Sequence, residues 1–562
     1  MEPRSNFPAN SAHAVTRRAQ WVSLGIDPAD LERPKVAIVN TSNDLAACFA
    51  HLDGIVAVLK DELRALGLLP FEIRTAAPSD FVTNAGRGGR YVLSARDLIT
   101  NDIEVMVEGA QLDAMICLSS CDKTTPAHLM AAGRMNVPTV IVPCGYQRSG
   151  LAEGGEADVE EVFLRAAQQG LMGKADESLA DLADGAIRSP GVCSGLATAN
   201  SMHMAAEALG MAVTRSAPVR ALSDRMWDGV RRSARALADL VERDVRPRDI
   251  ITAGSITNAV RTMLAVGGSI NTVKHLQAVA VEAGVDIDVW ETYRVLGRQT
   301  PTLCSIRPNG TDLIEDLEDA GGAATVLREL LALLDGDQVT VDGRTLAENA
   351  ATARPADGSV IRGLDDPFST DPSIVVLRGT LAEAGAVVKR PIPDPGPRRF
   401  RGPAKVFHSR EEGLAAVAEN KIQPGDVAII RGIGVVGGPA MGMISAFIFA
   451  LAGRDLASKV AVVTDGQMSG LANHGIGVGE VSPEAAVGGA LGLVEDGDLI
   501  EIDLAEGRID LLVDPEVLAA RPAYAPKEQI ETTGYLAQYR ATVQSLACGA
   551  TLGPRGDLIP GA

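Results

Sequence analysis

Residues 113–135 read DAMICLSSCDKTTPAHLMAAGRM, and the reading of this stretch decides the fold. DAMICLSS (113–120) is a short apolar run of the kind that forms a buried strand, and LMAAGRM (129–135) has the composition of a helix. CDKTTPAH (121–128) sits between them, so Cys121, Asp122 and Lys123 fall at the C-terminal end of a strand. In α/β proteins those ends are where functional sites assemble. By itself the cluster suits a metal site, a reactive thiol or an ordinary polar loop.

The same strand-then-helix order recurs on either side. PKVAIVNTS (34–42) and VPTVIVPCG (137–145) read as buried parallel strands, and GIVAVLKDELRALG (54–67) as an amphipathic helix. The segment 151–190 is acidic and helical, without obvious chemistry. KRPIPDPGPRRFRGPA (389–404) is rich in proline and poor in apolar residues, which marks a domain boundary. Beyond it, DVAIIRG (426–432), SKVAVVTDG (458–466), DLIEIDL (498–504) and RIDLLVD (508–514) are short strands between Gly and Asp turns. The expected organisation is a large α/β domain with a parallel sheet over 1–388 and a smaller β-rich domain over 389–562.

Composition narrows the function classes. A formal net charge of −20 repels nucleic acid and anionic membranes. The basic runs RRSARAL (231–237) and RRFR (398–401) read as a solvated helix face and a linker. The N-terminus lacks an apolar segment of signal-peptide length, and AMGMISAFIFALAG (440–453) is too short to span a bilayer and reads as a buried helix. Seven scattered cysteines suit a reducing compartment, so a cytoplasmic protein without disulfides is expected.

Three cysteines lie in polar or glycine-marked loops beside apolar runs: Cys48 in NTSNDLAACFAHL, Cys121, and Cys193 in GVCSGLATANSMH. Their wide separation excludes a zinc ribbon or a CxxC pair. Three distant thiolates suit an iron–sulfur cluster with one incompletely ligated iron, while buried inert cysteine is the plainer reading of each. Cys117, Cys144 and Cys304 lie in or near apolar runs and keep the plainer reading. Asp80 (APSDF) and Asp122 are carboxylates suited to a hard cation. Lys123 beside them is an ion-pair partner or, as a carbamate, a further oxygen ligand. Ser469, in VTDGQMSGLANHG, follows a strand and reads as a turn residue or a base. No GxSxG elbow surrounds it. The glycines of RGIGVVGGPAMG (431–442) lack dinucleotide-binding spacing.

In combination these segments resemble the dihydroxy-acid dehydratase / 6-phosphogluconate dehydratase family, which includes sugar-acid dehydratases. The resemblance runs from about residue 17 to about residue 525. It is carried by VAIVNTSNDLAACFAHL, APSDF with RYVLSARDLI, CDKTTPAHLMAAGRMNVP, GVCSGLATANSMHMAAEALGMA, AVGGSINTVKHLQAVAVEAGV, VVTDGQMSG and VSPEAAVGGALGLVEDGDLIEID. It implies a C-terminal domain that is barrel-like and an assembly that is a homodimer or a dimer of dimers. It also implies an iron–sulfur cluster, [2Fe–2S] rather than [4Fe–4S], on Cys48, Cys121 and Cys193. Mg²⁺ would be held by Asp80, Asp122 and carbamylated Lys123, and Ser469 would be the base. The implied reaction is removal of water from a 2,3-dihydroxy carboxylic acid, a sugar acid or a branched one, to give a 2-keto acid.

The chain departs from the family pattern around the expected cation. Ile433 stands where an acidic Mg²⁺ ligand is usual, Arg87 where an acid is common, and Glu480 near a customary histidine. The loop after Ser469 is one residue longer than usual. The alternative implied by these changes is a non-catalytic member that keeps the cluster for a structural or sensing role.

Overall fold

The structure is a computed structural model that describes residues 3–84, 86–152, 155–170, 177–394, 396–469, 475–526 and 533–553. Its first layer is a four-stranded parallel sheet of β1 (Lys35–Asn40), β2 (Leu69–Arg74), β3 (Ala114–Ser119) and β4 (Thr139–Pro143), in the order β2-β1-β3-β4. Every residue of β1, β3 and β4 is buried. That explains their unbroken apolar runs, since a parallel strand covered on both faces has no polar alternation to display.

Helix α1 (Leu52–Ala65) carries the chain from β1 to β2, and α2 (Arg90–Ala110) from β2 to β3. Helix α3 (Thr124–Met135) leads from β3 to β4. A short hairpin, β5 (Gly150–Ala152) with β6 (Gly155–Ala157), precedes α4 (Val159–Gly170). Two further buried helices matter for the site: α5 (Thr198–Ala208) and, after α6 (Ala253–Val266), α7 (Asn271–Ala283).

The remainder is a closed eight-stranded barrel. Its strands are β7 (Ile374–Gly379), β8 (Ala382–Lys389), β9 (Arg399–Phe407), β10 (Val427–Ile430), β11 (Ala461–Thr464), β12 (Ile476–Ser482), β13 (Leu499–Asp503) and β14 (Arg508–Leu511). Around the barrel they run β10-β11-β12-β8-β7-β14-β13-β9. The boundary expected at residue 389 therefore shifts upstream, because β7 and β8 precede the proline-rich segment. That segment joins two barrel strands, and RRFR (398–401), read above as linker, largely belongs to β9. Proline is tolerated there because it lies between strands or, as Pro403, at the end of the β9–β13 ladder.

In β10, Val427 and Ile429 belong to the barrel core, while Ala428 and Ile430 pack into the core shared with the N-terminal domain. Alternate side chains thus serve two cores. Helix α8 (Ser445–Gly453) buries Phe447, Ile448 and Leu451 in the shared core, as its apolar sequence requires. Among the described residues no helix is long and apolar enough to cross a membrane.

Lys389, at the end of β8, also joins the domains. Its Nζ is buried and donates to the carbonyls of Gly267 (2.6 Å) and Gly268, just past α6. Burial pushes its pKa from 10.5 down to about 7. A neutral amine still supplies the two N–H groups that these carbonyls accept. The unfolded chain binds the extra proton between about pH 7 and 10.5, so this group's contribution to stability grows with pH across that window. In Lys389→Met that part of the slope should vanish, which shows when unfolding free energies of the two proteins are compared from pH 7 to 10.

Candidate active site

The strand order places a switch point between β1 and β3, since the chain leaves β1 towards β2 and leaves β3 towards β4. Loops at such a point diverge and leave a crevice at the strand ends. Cys48 lies in the loop after β1, and Cys121, Asp122 and Lys123 follow β3. Ser120 Oγ donates to the Cys48 carbonyl and so ties the two loops together. Asp80 begins a one-turn helix (Asp80–Thr83) after β2. Cys193 comes from the loop before α5, where Asn200 Nδ2 donates to the carbonyls of Cys193 and Gly195, both at 2.9 Å. Ser469 arrives from the barrel beyond β11, with its amide donating to Ser445 Oγ at 3.0 Å.

One pocket gathers these elements: Asp80, Cys121, Asp122, Glu160, Cys193 and Ser469 line it. Lys123 lies behind the carboxylates and is 1% exposed. Its Nζ donates to Asp80 Oδ2 at 2.9 Å and stands 3.8 Å from Asp122 Oδ2. Burial opposes the Lys123 charge, yet Asp80 and Asp122 outweigh it and hold its pKa above the ordinary value. Burial, and then the facing Asp80 carboxylate, push the Asp122 pKa up. A hydrogen bond between thiols joins Cys48 and Cys121: it draws Cys48 down and raises Cys121, which burial raises further. Cys193 is raised by burial and then by Glu160.

The donor set can be tested against the groups that the resemblance implies. The hydrogen-bonded thiols of Cys48 and Cys121, with Cys193 at the same pocket, are three soft donors from separate loops, and they fit an iron–sulfur cluster. All seven cysteines are free, and Cys117, Cys144 and Cys304 are fully buried away from the pocket, with thiols that burial pushes far up. On the oxygen side, buried Asp80 Oδ1 accepts no hydrogen bond among the described residues and is available to a hard cation. The Lys123 ammonium now fills the gap between the carboxylates. Mg²⁺ fits there only with Lys123 as the carbamate, which exchanges a positive donor for two acceptor oxygens. Among the described residues no three His, Cys, Asp or Glu side chains close on a single ion position. Ile433 adds no oxygen: its side chain packs against Gly442 and Gly466.

Glu480 is fully buried and pairs with Lys274 of α7, itself fully buried, through Oε1. Lys274 Nζ also donates to Asn271 Oδ1 at 2.6 Å, and Asn271 Nδ2 donates to Thr198 Oγ1 at 2.9 Å. Asn271 and Thr198 both line the pocket, so the ion pair reaches the site through two hydrogen bonds. The Arg87 side chain and the loop after Ser469, residues 470–474, lie outside the described residues.

Sequence reasoning missed Glu160 and the Lys274–Glu480 pair. Lys274 sits in a quoted motif, AVGGSINTVKHLQ, and a charge in an otherwise apolar helix was the available signal. Glu160 gave none, being one acid among many in 151–190.

The model of the N-terminal domain of dihydroxy-acid/6-phosphogluconate dehydratases matches residues 33–349, and that of the C-terminal domain matches residues 359–550. A protein from Moorella thermoacetica named dihydroxy-acid dehydratase is 39% identical over 555 residues, covering 98% of this chain and all of the relative. Proteins of the same name from Aquifex aeolicus and Methanothrix thermoacetophila are each 37% identical, again over 98% of this chain and all of theirs.

Proposed function

Since the chain belongs to the dihydroxy-acid/6-phosphogluconate dehydratase family, we propose that it is a hydro-lyase that converts a 2,3-dihydroxy carboxylic acid to a 2-keto acid. The observation that carries this reading is the meeting of sulfur ligands, paired carboxylates and a serine in one interdomain pocket. Cys48, Cys121 and Cys193 hold the iron–sulfur cluster in this reading, and Asp80, Asp122 and carbamylated Lys123 hold Mg²⁺. When bound, these groups supply Lewis acidity for the departing 3-hydroxyl and for the charge that develops at the substrate carboxylate.

The protein's own part is proton management and positioning. Ser469, as its alkoxide, removes the C2 proton, and as the C3–O bond breaks the leaving hydroxyl takes that proton back from the serine and departs as water. The enol that remains gains a proton at C3 as it tautomerises to the 2-keto acid. Thr198, by its hydrogen bond to Asp122, and Asn271 orient the carboxylate wall. The buried pocket limits solvent access, which strengthens each of these polar contacts.

Anaerobic purification, iron and sulfide assay, and 2-keto acid detection over aldonic and branched dihydroxy acids test the reading. Cluster loading with turnover of at least one acid is expected. Full loading without turnover would favour the non-catalytic alternative that Ile433 motivates. Failure to bind iron after reconstitution would sink both.

A further inference from the structure

Glu160 has no part in the reaction as described, yet it reaches into the same pocket. It lies in the first turn of α4, where Asp158 Oδ1 accepts from the Glu161 amide at 2.9 Å and anchors the turn. Phe163, one turn on, is wedged between Phe81 and Phe449 with ring centroids 6.0 and 5.8 Å away, so the helix is held from both domains. The Glu160 side chain is 9% exposed, beside Gly195, Cys193 and Asp122. A Cβ added at Gly195 would stand 2.9 Å from Glu160 Oε1. That oxygen is buried and accepts no hydrogen bond among the described residues.

A buried carboxylate oxygen without a partner is unfavourable, so the functional complex must bring one. Four kinds of partner are conceivable: a protein donor, an ordered water, a metal ion, or a donor on the substrate, and a water in this pocket is displaced as the substrate fills it. Within the described residues no protein donor reaches Oε1. A shared cation is disfavoured, because Glu160, Asp122 and Asp80 do not close on one ion position. The substrate is left. In the dehydratase reading its carboxylate, 2-hydroxyl and 3-hydroxyl are already engaged, so the donor must lie further along the chain.

We propose that Glu160 is a specificity-determining residue whose carboxyl accepts a hydrogen bond from a hydroxyl beyond C3, so that the preferred substrate is a polyhydroxylated acid and not one with an aliphatic chain. An aliphatic chain leaves Oε1 unpaired in the closed complex, and sites built to bind a hydroxyl reject analogues that lack it. The inference rests on the dehydratase reading and sharpens it to a substrate class.

The test compares kcat/KM for a six-carbon aldonic acid and for a branched-chain 2,3-dihydroxy acid. It uses the cluster-loaded wild type, Glu160→Gln and Glu160→Val, with cluster absorption and unfolding curves recorded for each. Calorimetric Kd values for the matching 2-keto acid products give a readout independent of turnover. The wild type should prefer the aldonic acid. Glu160→Val should lose about 10–100-fold more on that acid than on the branched one, and the near-isosteric Glu160→Gln should fall between. Product affinities should shift in the same sense. A wild-type preference for the branched acid, or an equal loss on both acids in the two variants, overturns the inference and leaves the dehydratase reading standing. Turnover of neither acid by loaded wild type overturns the dehydratase reading and the inference with it.

Discussion

Ser469→Ala is expected to lower kcat by about 10²–10⁴-fold, the range for removal of a positioned general base, with the cluster absorption unchanged. Cys48, Cys121 and Cys193 stand on loops of the N-terminal domain, whereas Ser469 comes from the barrel, so the substitution leaves the sulfur side untouched. The hydroxyl shares the pocket with Asp80 and Asp122, two carboxylates that oppose formation of a further negative charge. Its action as a base therefore depends on positive charge nearby. The backbone should hold its place in the variant, because the 469 amide keeps its bond to Ser445 Oγ. Ser469→Thr keeps a hydroxyl and should retain more activity than Ser469→Ala. Turnover near the wild-type level in Ser469→Ala would remove the serine from the mechanism. Loss of the cluster spectrum would give it a structural role instead.

The second large effect is on stability. Lys274→Met should destabilise the protein by about 3–5 kcal/mol, because it leaves the Glu480 carboxylate buried without its partner. Both side chains are fully buried, and among the described residues Glu480 Oε2 has no hydrogen-bond partner even with the lysine present. Burial draws the Lys274 pKa down, while Glu480 opposes that shift and keeps the pair together. Glu480 also adopts φ +61°, left-handed backbone uncommon for a residue with a side chain, so the pair holds a strained strand position. The double variant Lys274→Met/Glu480→Gln removes both charges and should recover much of the loss, since a buried ion pair is worth little over a neutral replacement. Denaturant unfolding of the single and double variants measures this coupling. Equal stabilities for Lys274→Met and wild type would mean that the pair adds nothing to stability.

The route from Lys274 through Asn271 and Thr198 to Asp122 makes this pair more than a stabilising contact. Truncating it should also loosen the carboxylate wall, so Lys274→Met should raise KM even at temperatures where the protein stays folded. That gives the departure at Glu480 a structural companion, since it is matched by a lysine 206 positions away.

Much of the fold was legible because it is written in short periods. The runs KVAIVN, AMICLS and TVIVP are uninterrupted because each strand is covered on both faces, and the loops after them carry the residues that gather at the switch point. The buried helix at 445–453 and the strands β10 and β11 were readable for the same reason, and β13 and β14 as short apolar runs between Gly and Asp turns. The barrel's other half was not. In β9, RFRGPAKVF mixes arginines, a glycine and a proline, and its burial is irregular, so nothing local marks it as the strand that closes a barrel.

The sequence by itself determined the α/β order, the family, and the candidate residues Cys48, Cys121, Cys193, Asp80, Asp122, Lys123 and Ser469, each flagged by its own neighbours in the chain. Only the tertiary structure decided that β7 and β8 belong to the barrel, that Lys274 meets Glu480, and that Glu160 turns an unpartnered oxygen into the pocket. The physical reason is range. Hydrophobic period and turn chemistry act over a few residues, whereas strand closure, buried ion pairs and unmet hydrogen-bond acceptors arise from groups that chain folding alone brings together.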